Sequence, residues 1–516
     1  MIIGESGMTP TPDTTPDLPP KGETPASLKR FDNRFARLPA HFFSALEPAV
    51  QPGTQLLDVS PDCRRLLDMS REEISDEHLR ALLGGEQLWP GMQPLAQKYT
   101  GHQFGSYNPD LGDGRGLLLG EWRNDSGVAF DLHLKGAGRT PYSRHGDGHA
   151  VLRSSVREYL VSEAFAGLGL PSTRALAVAV NQQQVPRERW EPGATLLRVA
   201  PSHVRFGHFE WLALSGHRQD VALLVNHVLA QHWPDLLEAP SPALAMFERC
   251  AERTAEMIAG WQAMGFVHGV MNTDNMSILG IALDFGPFAF QEQFDPAFTP
   301  NLTDAGGRYA YSEQPSIGMW NLSRLAFALL EQVAMEVGSE EAAQTVLQHA
   351  LEEYGERVNH AFGERMRARL GLQQEMPDDT QLLGDFLSLL YHQGLDYHRA
   401  FRALASVNEQ EPAATPADLG QSAAADGWIE RYRMRLLHEE RSTRERQQAM
   451  NQVNPLYVLR THLAQRAIEA IEQHNDTREL KRLRELLAAP YTAQPGMDYY
   501  AEPAAGGAPV RLSCSS

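Results

Sequence analysis

Along 128–135, apolar Val128, Phe130, Leu132 and Leu134 alternate with Ala129, Asp131, His133 and Lys135. A period of two predicts a β-strand with one buried face and one mostly polar face. A second apolar run, 117–122, precedes it across a turn cluster at 123–127, so a β-hairpin is expected. The stretch from about 98 to 205 is glycine-rich and keeps this short alternating texture, interrupted by a predicted helix over 153–167 that glycines and Pro171 end. From Ala243 the period lengthens. Met246, Cys250, Met257, Ile258, Trp261 and Met264 recur at helical spacings. After a loop-rich passage at 287–315, helices are expected to fill most of 316–490. No fixed-period repeat is visible. The pattern predicts an α+β protein with a glycine-rich β lobe (29–205), a helical lobe (206–345) and a further helical extension (346–490).

Residues 1–28 are rich in Pro, Thr and Asp and poor in aromatics, the composition of a disordered tail. Residues 491–516 are expected as a second tail, either loose on the surface or docked as an extended strip. The 516 residues are 42% hydrophobic and 22% charged, which suits a water-soluble globular protein and excludes fibrous and wholly disordered classes. Lys and Arg number 46 against 65 Asp and Glu, a formal charge of −19. That field repels a phosphate backbone and argues against nucleic acid as the main partner. Cys63, Cys250 and Cys514 are too far apart in sequence for a zinc-ligand pair or a disulfide framework. Few thiols, no basic and apolar leader at Met1 to Gly7 and no apolar run of the ~18 residues that cross a bilayer lead to the expectation of a cytoplasmic protein without a membrane partner.

Candidate chemistry falls in two places. In Leu111-Gly112-Asp113-Gly114-Arg115-Gly116, three alternate glycines allow close backbone approach and can aim N–H groups at phosphate. A Gly-Asp-Gly run is equally an ordinary turn. Lys135 ends the following strand, and if buried it needs an anion, which a carboxylate and a nucleotide phosphate would supply. Glu158 lies on a largely apolar helical face, so it either meets such a cation or pairs at the surface with Arg153 or Arg157. The second place begins at His268. Protein kinases carry H-R-D-x-x-x-x-N followed by D-F-G, with the Asn and the second Asp holding magnesium. Here His268 and Asn275 keep the interval of seven, and Asp284-Phe285-Gly286 follows. The kinase catalytic Asp position is Val270, which cannot accept a proton, so Asp274 is the remaining base. Glycine loop, Lys, Glu, Asn and Asp in this order predict a kinase-like nucleotide site. Arg198 and Arg205 between the two constellations suit phosphate, and Asp147-Gly148 offers a second close-approach turn or an ordinary loop. His102, His145 and His149 form no metal spacing.

Together these motifs resemble the selenoprotein O family of pseudokinase-fold nucleotidyltransferases. The resemblance rests on Tyr-Thr-Gly-His-Gln-Phe-Gly (99–105), Leu-Gly-Asp-Gly-Arg-Gly (111–116), Leu-Lys-Gly-Ala-Gly-Arg-Thr-Pro-Tyr-Ser-Arg (134–144), the run 146–158, His-Gly-Val-Met-Asn-Thr-Asp-Asn-Met (268–276), Asp-Phe-Gly-Pro-Phe-Ala-Phe (284–290), Asn-Pro-Leu-Tyr-Val-Leu-Arg (454–460) and the terminal Ser-Cys-Ser-Ser. It implies a bilobed protein-kinase-like fold that transfers AMP from ATP, or UMP from UTP, onto Ser, Thr or Tyr hydroxyls of proteins, with Mg2+ or Mn2+. It further implies that Lys135 contacts phosphate and pairs with Glu158, and that Gly112, Gly114, Arg115, Asp147 and Gly148 line the nucleotide. Arg198 and Arg205 would hold the outer phosphates, Asn275 and Asp284 the metal, and Asp274 would be the base. Phosphotransfer, or nucleotide binding without catalysis, are the competing readings. Some bacterial relatives pair a cysteine after the Asp-Phe-Gly with the C-terminal one. The corresponding 295–301 here has none, so Cys514 is expected as a free thiol.

Overall fold

The structure, a computed structural model, describes residues 30–408, 415–504 and 512–513. The expected tail at 1–28 and Cys514 lie outside them. Nine strands build one antiparallel sheet: β1 (Phe43–Ala45), β2 (Gln55–Val59), β3 (Leu95–Gln103), β4 (Ser106–Gly112), β5 (Gly116–Arg123), β6 (Ala129–Lys135), β7 (Ala150–Val151), β8 (Arg174–Pro186) and β9 (Trp190–Ala200). Their order is β1-β3-β5-β6-β9-β8-β2, with β4 on β3 and β7 on β9. The β5–β6 hairpin pairs Trp122 with Phe130 and Gly116 with Lys135. Helices α1 (Pro61–Leu66) and α2 (Asp76–Leu83) cover one face of the sheet, closing a core that contains Leu117, Leu119, Trp122, Leu132, Leu134 and Leu197.

The polar side of β6 is not solvated. Asp131, His133 and Lys135 are all buried, because His203 packs over Asp131 and His133 and α3 (Leu152–Leu168) brings Glu158 to Lys135. Each polar side chain has a partner there. Asp131 accepts from the His203 amide at 2.7 Å, His133 Nε2 lies 3.3 Å from Asp113, and Lys135 donates to Glu158. Alternation reveals which residues share a face, whereas a second layer decides whether water reaches it.

The helical part comprises α4 (Phe206–Leu214), α5 (Val221–His232), α6 (Pro242–Ala263), α7 (Gln314–Val337) and α8 (Glu340–Arg369). The expected apolar stripe of α6 is buried, and α8 packs along α6 and α7. A short ribbon, β10 (Phe266–Val267) with β11 (Ala289–Phe290), brackets the chain between His268 and Pro287. The remaining helices divide. Those at α9 (Asp379–Gln393), α10 (Tyr397–Ala403), α11 (Ala423–Leu436) and α12 (Thr443–Val453) gather around Phe386, Phe401, Trp428 and Met450. In contrast, α13 (Thr461–His474) and α14 (Arg478–Ala488) return to α3, where Arg484 meets Asp58 at 2.7 Å. The segment beyond is docked where described: Tyr500 is buried, Arg460 donates to Ala501 O at 3.0 Å, and Leu512 bridges Asn301. Among the described residues no helix is long and apolar enough to cross a membrane.

Candidate active site

Between the sheet and the helices opens a cavity of about 510 Å³, within the size range of small-molecule sites. One wall is the glycine loop 111–116, held in place by Asp113. Its carboxylate accepts from the Gln97 amide at 3.0 Å and Tyr99 Oη at 3.3 Å. Burial pushes this acid up, but the charge and hydrogen bond of His133, with Arg205, hold it at about 2. Gly112 and Gly114 line the cavity, and Arg115 stands exposed at its rim. Across from the loop, Asp147 and Gly148 also line it. Gly148 has φ +80°, and a Cβ there would lie 2.3 Å from the Arg139 nitrogen, so the turn accepts no side chain.

Behind this wall sits a charge cluster. Glu158, delivered by α3, receives both Lys135 and Arg198. Arg198 also reaches Asp284, to which Arg205 donates at 3.2 Å. Burial pushes Glu158 and Asp284 up, yet the surrounding cations win: Arg198 and Lys135 keep Glu158 low, and Arg198, Arg205 and Lys135 hold Asp284 well below the usual carboxylate range. Burial pushes Lys135 down to about 8, with Glu158 opposing and Arg198 assisting. Lys135 and Arg198 face the cavity, whereas Glu158 and Arg205 do not. Arg205 is placed behind Asp284, where it also donates to the Asp274 carbonyl at 3.0 Å and lies over the Tyr99 ring. The alternative partners of Glu158 are engaged elsewhere: Arg157 donates to Phe288 O at 2.9 Å, and Arg153 pairs with Glu191.

The floor is the segment 268–275. His268 is structural, with its Nε2 3.0 Å from Leu283 O and its ring stacked on Trp261. Asp274 and Asn275 lie on one 3-10 turn, Thr273–Asn275. Strand β3 aligns that turn: the His102 amide donates to Thr273 Oγ1 at 2.7 Å, and Gln103 Nε2 donates to Asp274 Oδ2 at 3.3 Å. Gly101 makes this approach possible, since a Cβ there would lie 2.8 Å from Asp274 Oδ1. That Oδ1 is buried without a hydrogen-bond partner, and burial pushes the Asp274 acid up to about 7. Asn275 Nδ2 donates to Val270 O at 3.1 Å, which leaves its amide oxygen available as a donor atom.

Backbone strain gathers here. Of five non-glycine residues with left-handed φ among the described ones, Phe104, Arg144 and Asp284 line the cavity. Each costs on the order of 1–3 kcal/mol. At Asp284 the two arginines offset it. Sequence reasoning did not single out Arg187, whose guanidinium holds Asp147 at 2.5 Å and His149 O at 3.0 Å. It also passed over Tyr99, Tyr142, Arg144 and Asn272 as cavity residues. Arg187 sits in a hairpin turn with nothing local to mark it, whereas Tyr99, Tyr142, Arg144 and Asn272 all lie within the motifs that carry the family resemblance.

A cleft with cations on its walls, strained backbone and, on its floor, a buried carboxylate oxygen without a hydrogen-bond partner, set in an α+β frame, has the features of an enzyme site for an anionic ligand. Comparison with known proteins narrows this. The family model described as protein adenylyltransferase SelO matches residues 25–488. A protein nucleotidyltransferase YdiU of Chromohalobacter salexigens is 53% identical over 498 residues, covering 94% of this chain and 97% of the relative. Proteins of that name from Vibrio cholerae and Myxococcus xanthus are 47% and 45% identical, each covering 94% of this chain and 98% and 99% of the relative. The chain belongs to the SelO family of protein adenylyltransferases and is a nucleotidyltransferase.

Such an enzyme takes a nucleoside triphosphate, and a divalent cation is the group the family chemistry implies. The donors at the floor fit a hard cation: the Asn275 amide oxygen and the Asp284 carboxylate, whose oxygens retain lone pairs beside their arginine bonds.

Proposed function

We propose that the protein transfers AMP from ATP, with UTP as the alternative donor, to Ser, Thr or Tyr hydroxyls of proteins and releases pyrophosphate. The reading takes the sheet and the helices as the two lobes of a kinase-like frame, with the triphosphate turned so that its α-phosphorus faces the acceptor. Gly112, Gly114 and Arg115 meet the nucleotide from one side, and Asp147 and Gly148, steadied by Arg187, from the other. Lys135, fixed by Glu158, and Arg198 bind phosphate oxygens. Arg205 supports the outer phosphates from behind by anchoring Asp284. Asn275 and Asp284 would hold Mg2+ or Mn2+, which when bound supplies positive charge against the triphosphate and the leaving pyrophosphate. Asp274 accepts the proton of the attacking hydroxyl. A cytoplasmic setting, rich in ATP, suits this chemistry.

The observation that carries the reading is Asp274 Oδ1, buried, unpartnered and on an acid raised to about 7, because a general base works best near the ambient pH. Val270, at the place of a kinase's base, lines the same cavity and cannot perform that step. The test is transfer from ATP labelled on the α or the γ phosphate to a protein target. Label retained from the α position, and lost in Asp274→Asn and Asp284→Ala, is expected. Label from the γ position would make the enzyme a kinase, and none from either would leave a nucleotide-binding scaffold.

A further inference from the structure

Beside the donor groups, the cleft opens at the tip of the β3–β4 hairpin. Gln103 and Phe104 at that tip line the cavity, and Gln103 reaches Asp274. Phe104 has a left-handed φ of +51° and is 39% exposed, so a strained backbone holds a phenyl ring in solvent at the mouth. Its amide donates to Asn272 Oδ1 at 3.2 Å and Tyr309 Oη at 3.0 Å, which ties the tip to the floor. The Arg308 guanidinium lies against Gly105, where an added Cβ would be 3.4 Å from Cζ, and over the Trp320 ring at 4.8 Å. Arg324 lies over the same ring at 5.3 Å. Trp320, Arg324 and the exposed Phe327 share one face of α7. Among the described residues neither arginine has a carboxylate within ion-pair reach: Arg324 donates to Ser323 Oγ at 3.3 Å, and Arg308 Nε is buried without a hydrogen-bond partner. The acids of this surface are engaged elsewhere. Asp304 accepts from the Arg308 and Tyr309 amides at 2.9 and 2.7 Å, and Glu210 meets His102 Nδ1 at 2.6 Å and Thr273 Oγ1 at 2.5 Å.

We propose that this surface docks the acceptor protein through an extended acidic segment, with Arg308 and Arg324 pairing with Asp or Glu side chains beside the modified residue and Phe104 packing on the segment as its hydroxyl enters. The proposal rests on the reading of Asp274 as the place where that hydroxyl arrives. A protein of formal charge −19 repels an acidic partner except where its cations are concentrated and unpaired. Here two guanidiniums meet that condition next to the floor of the cleft. Neither lines the cavity itself, which sets them apart from the cations assigned to the triphosphate. Stacking on one indole restrains both guanidinium forks before anything binds, so less side-chain entropy is lost when they pair with carboxylates. Phe104 and Phe327 add apolar area that a strand of acceptor can cover. The cleft would thus choose acceptor hydroxyls by the charge of their neighbours, as complementary potentials across an interface do.

The test uses the full chain with a non-hydrolysable ATP analogue and Mg2+, and fluorescent peptides that carry a single Tyr flanked by Glu, by Gln or by Lys, with binding read by anisotropy. The Glu peptide should bind about 10-fold more tightly than the Gln peptide and the Lys peptide most weakly, and the differences should shrink as salt is raised. Arg308→Gln and Arg324→Gln should each weaken Glu-peptide binding several-fold and together level it with the Gln peptide, while affinity for the ATP analogue and circular dichroism stay native. Arg308→Lys, which keeps the charge, should retain part of the preference. Asp274→Asn should bind the Glu peptide as the native chain does, so a failure of the assigned base in α-label transfer leaves the docking surface standing. Equal binding of the three peptides by the native chain, no binding of any, or a preference that survives in the double variant would overturn the proposal.

Discussion

Replacing Glu158 by Gln isolates what the buried charge cluster contributes. The substitution keeps the shape of the side chain and removes the one anion shared by Lys135 and Arg198. Breaking a buried ion pair costs roughly 3–5 kcal/mol. An independent bound comes from Lys135. Its ammonium is already down at about 8 from an ordinary 10.5 because of burial, and Glu158 is the largest influence resisting that fall. Without Glu158 the folded lysine sheds its proton at lower pH. Neutralising a lysine of pKa 10.5 at pH 7 costs about 5 kcal/mol at 1.36 kcal/mol per pH unit, so the loss should not exceed that. The pH dependence has a definite sign. Between the variant's lysine pKa and 8, the variant binds one proton more when unfolded than folded, so its stability rises with pH. The native protein keeps Lys135 protonated in both states there, so the gap narrows by about 1.4 kcal/mol per unit and stops narrowing above pH 8. Urea unfolding at pH 7, 8 and 9, with ATP turnover on the same samples, measures both. A loss of under about 0.5 kcal/mol with no pH dependence would refute the reasoning, since that is how a solvent-screened surface pair behaves.

Other perturbations reach the floor and walls of the cleft. Gly101→Ala places a methyl group against Asp274 Oδ1, and by displacing the base it should lower transferase activity ~100-fold while ATP still binds. Because burial raises Asp274 to about 7, its active, ionised form declines below that pH, and turnover should fall tenfold per unit on the acid side; Asp274→Asn should lose on the order of 10²–10⁴ in rate and flatten that limb. Gly148→Ala forces a left-handed φ on a side chain that meets backbone, and denaturation should show a loss of about 3 kcal/mol or more. Burial pushes the Cys63 and Cys250 thiols up to about 12, so neither should react with a thiol reagent until the chain is unfolded.

The order of chemical groups along the chain was legible because each motif carries its own local reason. Alternate glycines mark a loop, the β5–β6 hairpin follows from alternation and a turn, and the Asn-to-Asp-Phe-Gly spacing survives any packing. The sequence by itself therefore determined the α+β class, the run of strands before helices and the order in which the candidate groups fall along the chain. It could not decide which groups meet. Glu158 had equally good local partners in Arg153 and Arg157, and only the packing of α3 on β8 and β9 brought it Lys135 and Arg198 instead. Arg205 read as a phosphate ligand, yet the cap of α4 sets it behind Asp284. The helices after 346 read as one extension, but α13 and α14 fold back on α3. Asp274 shows the division most plainly. Its identity and its neighbours were written in the chain, whereas the burial that pushes its acid up arises from the tertiary packing, to which the close approach of β3 at Gly101 contributes. Periodicity and spacing act within a few residues of the chain, whereas burial and charge pairing depend on distances in space that the chain sets only by closing on itself.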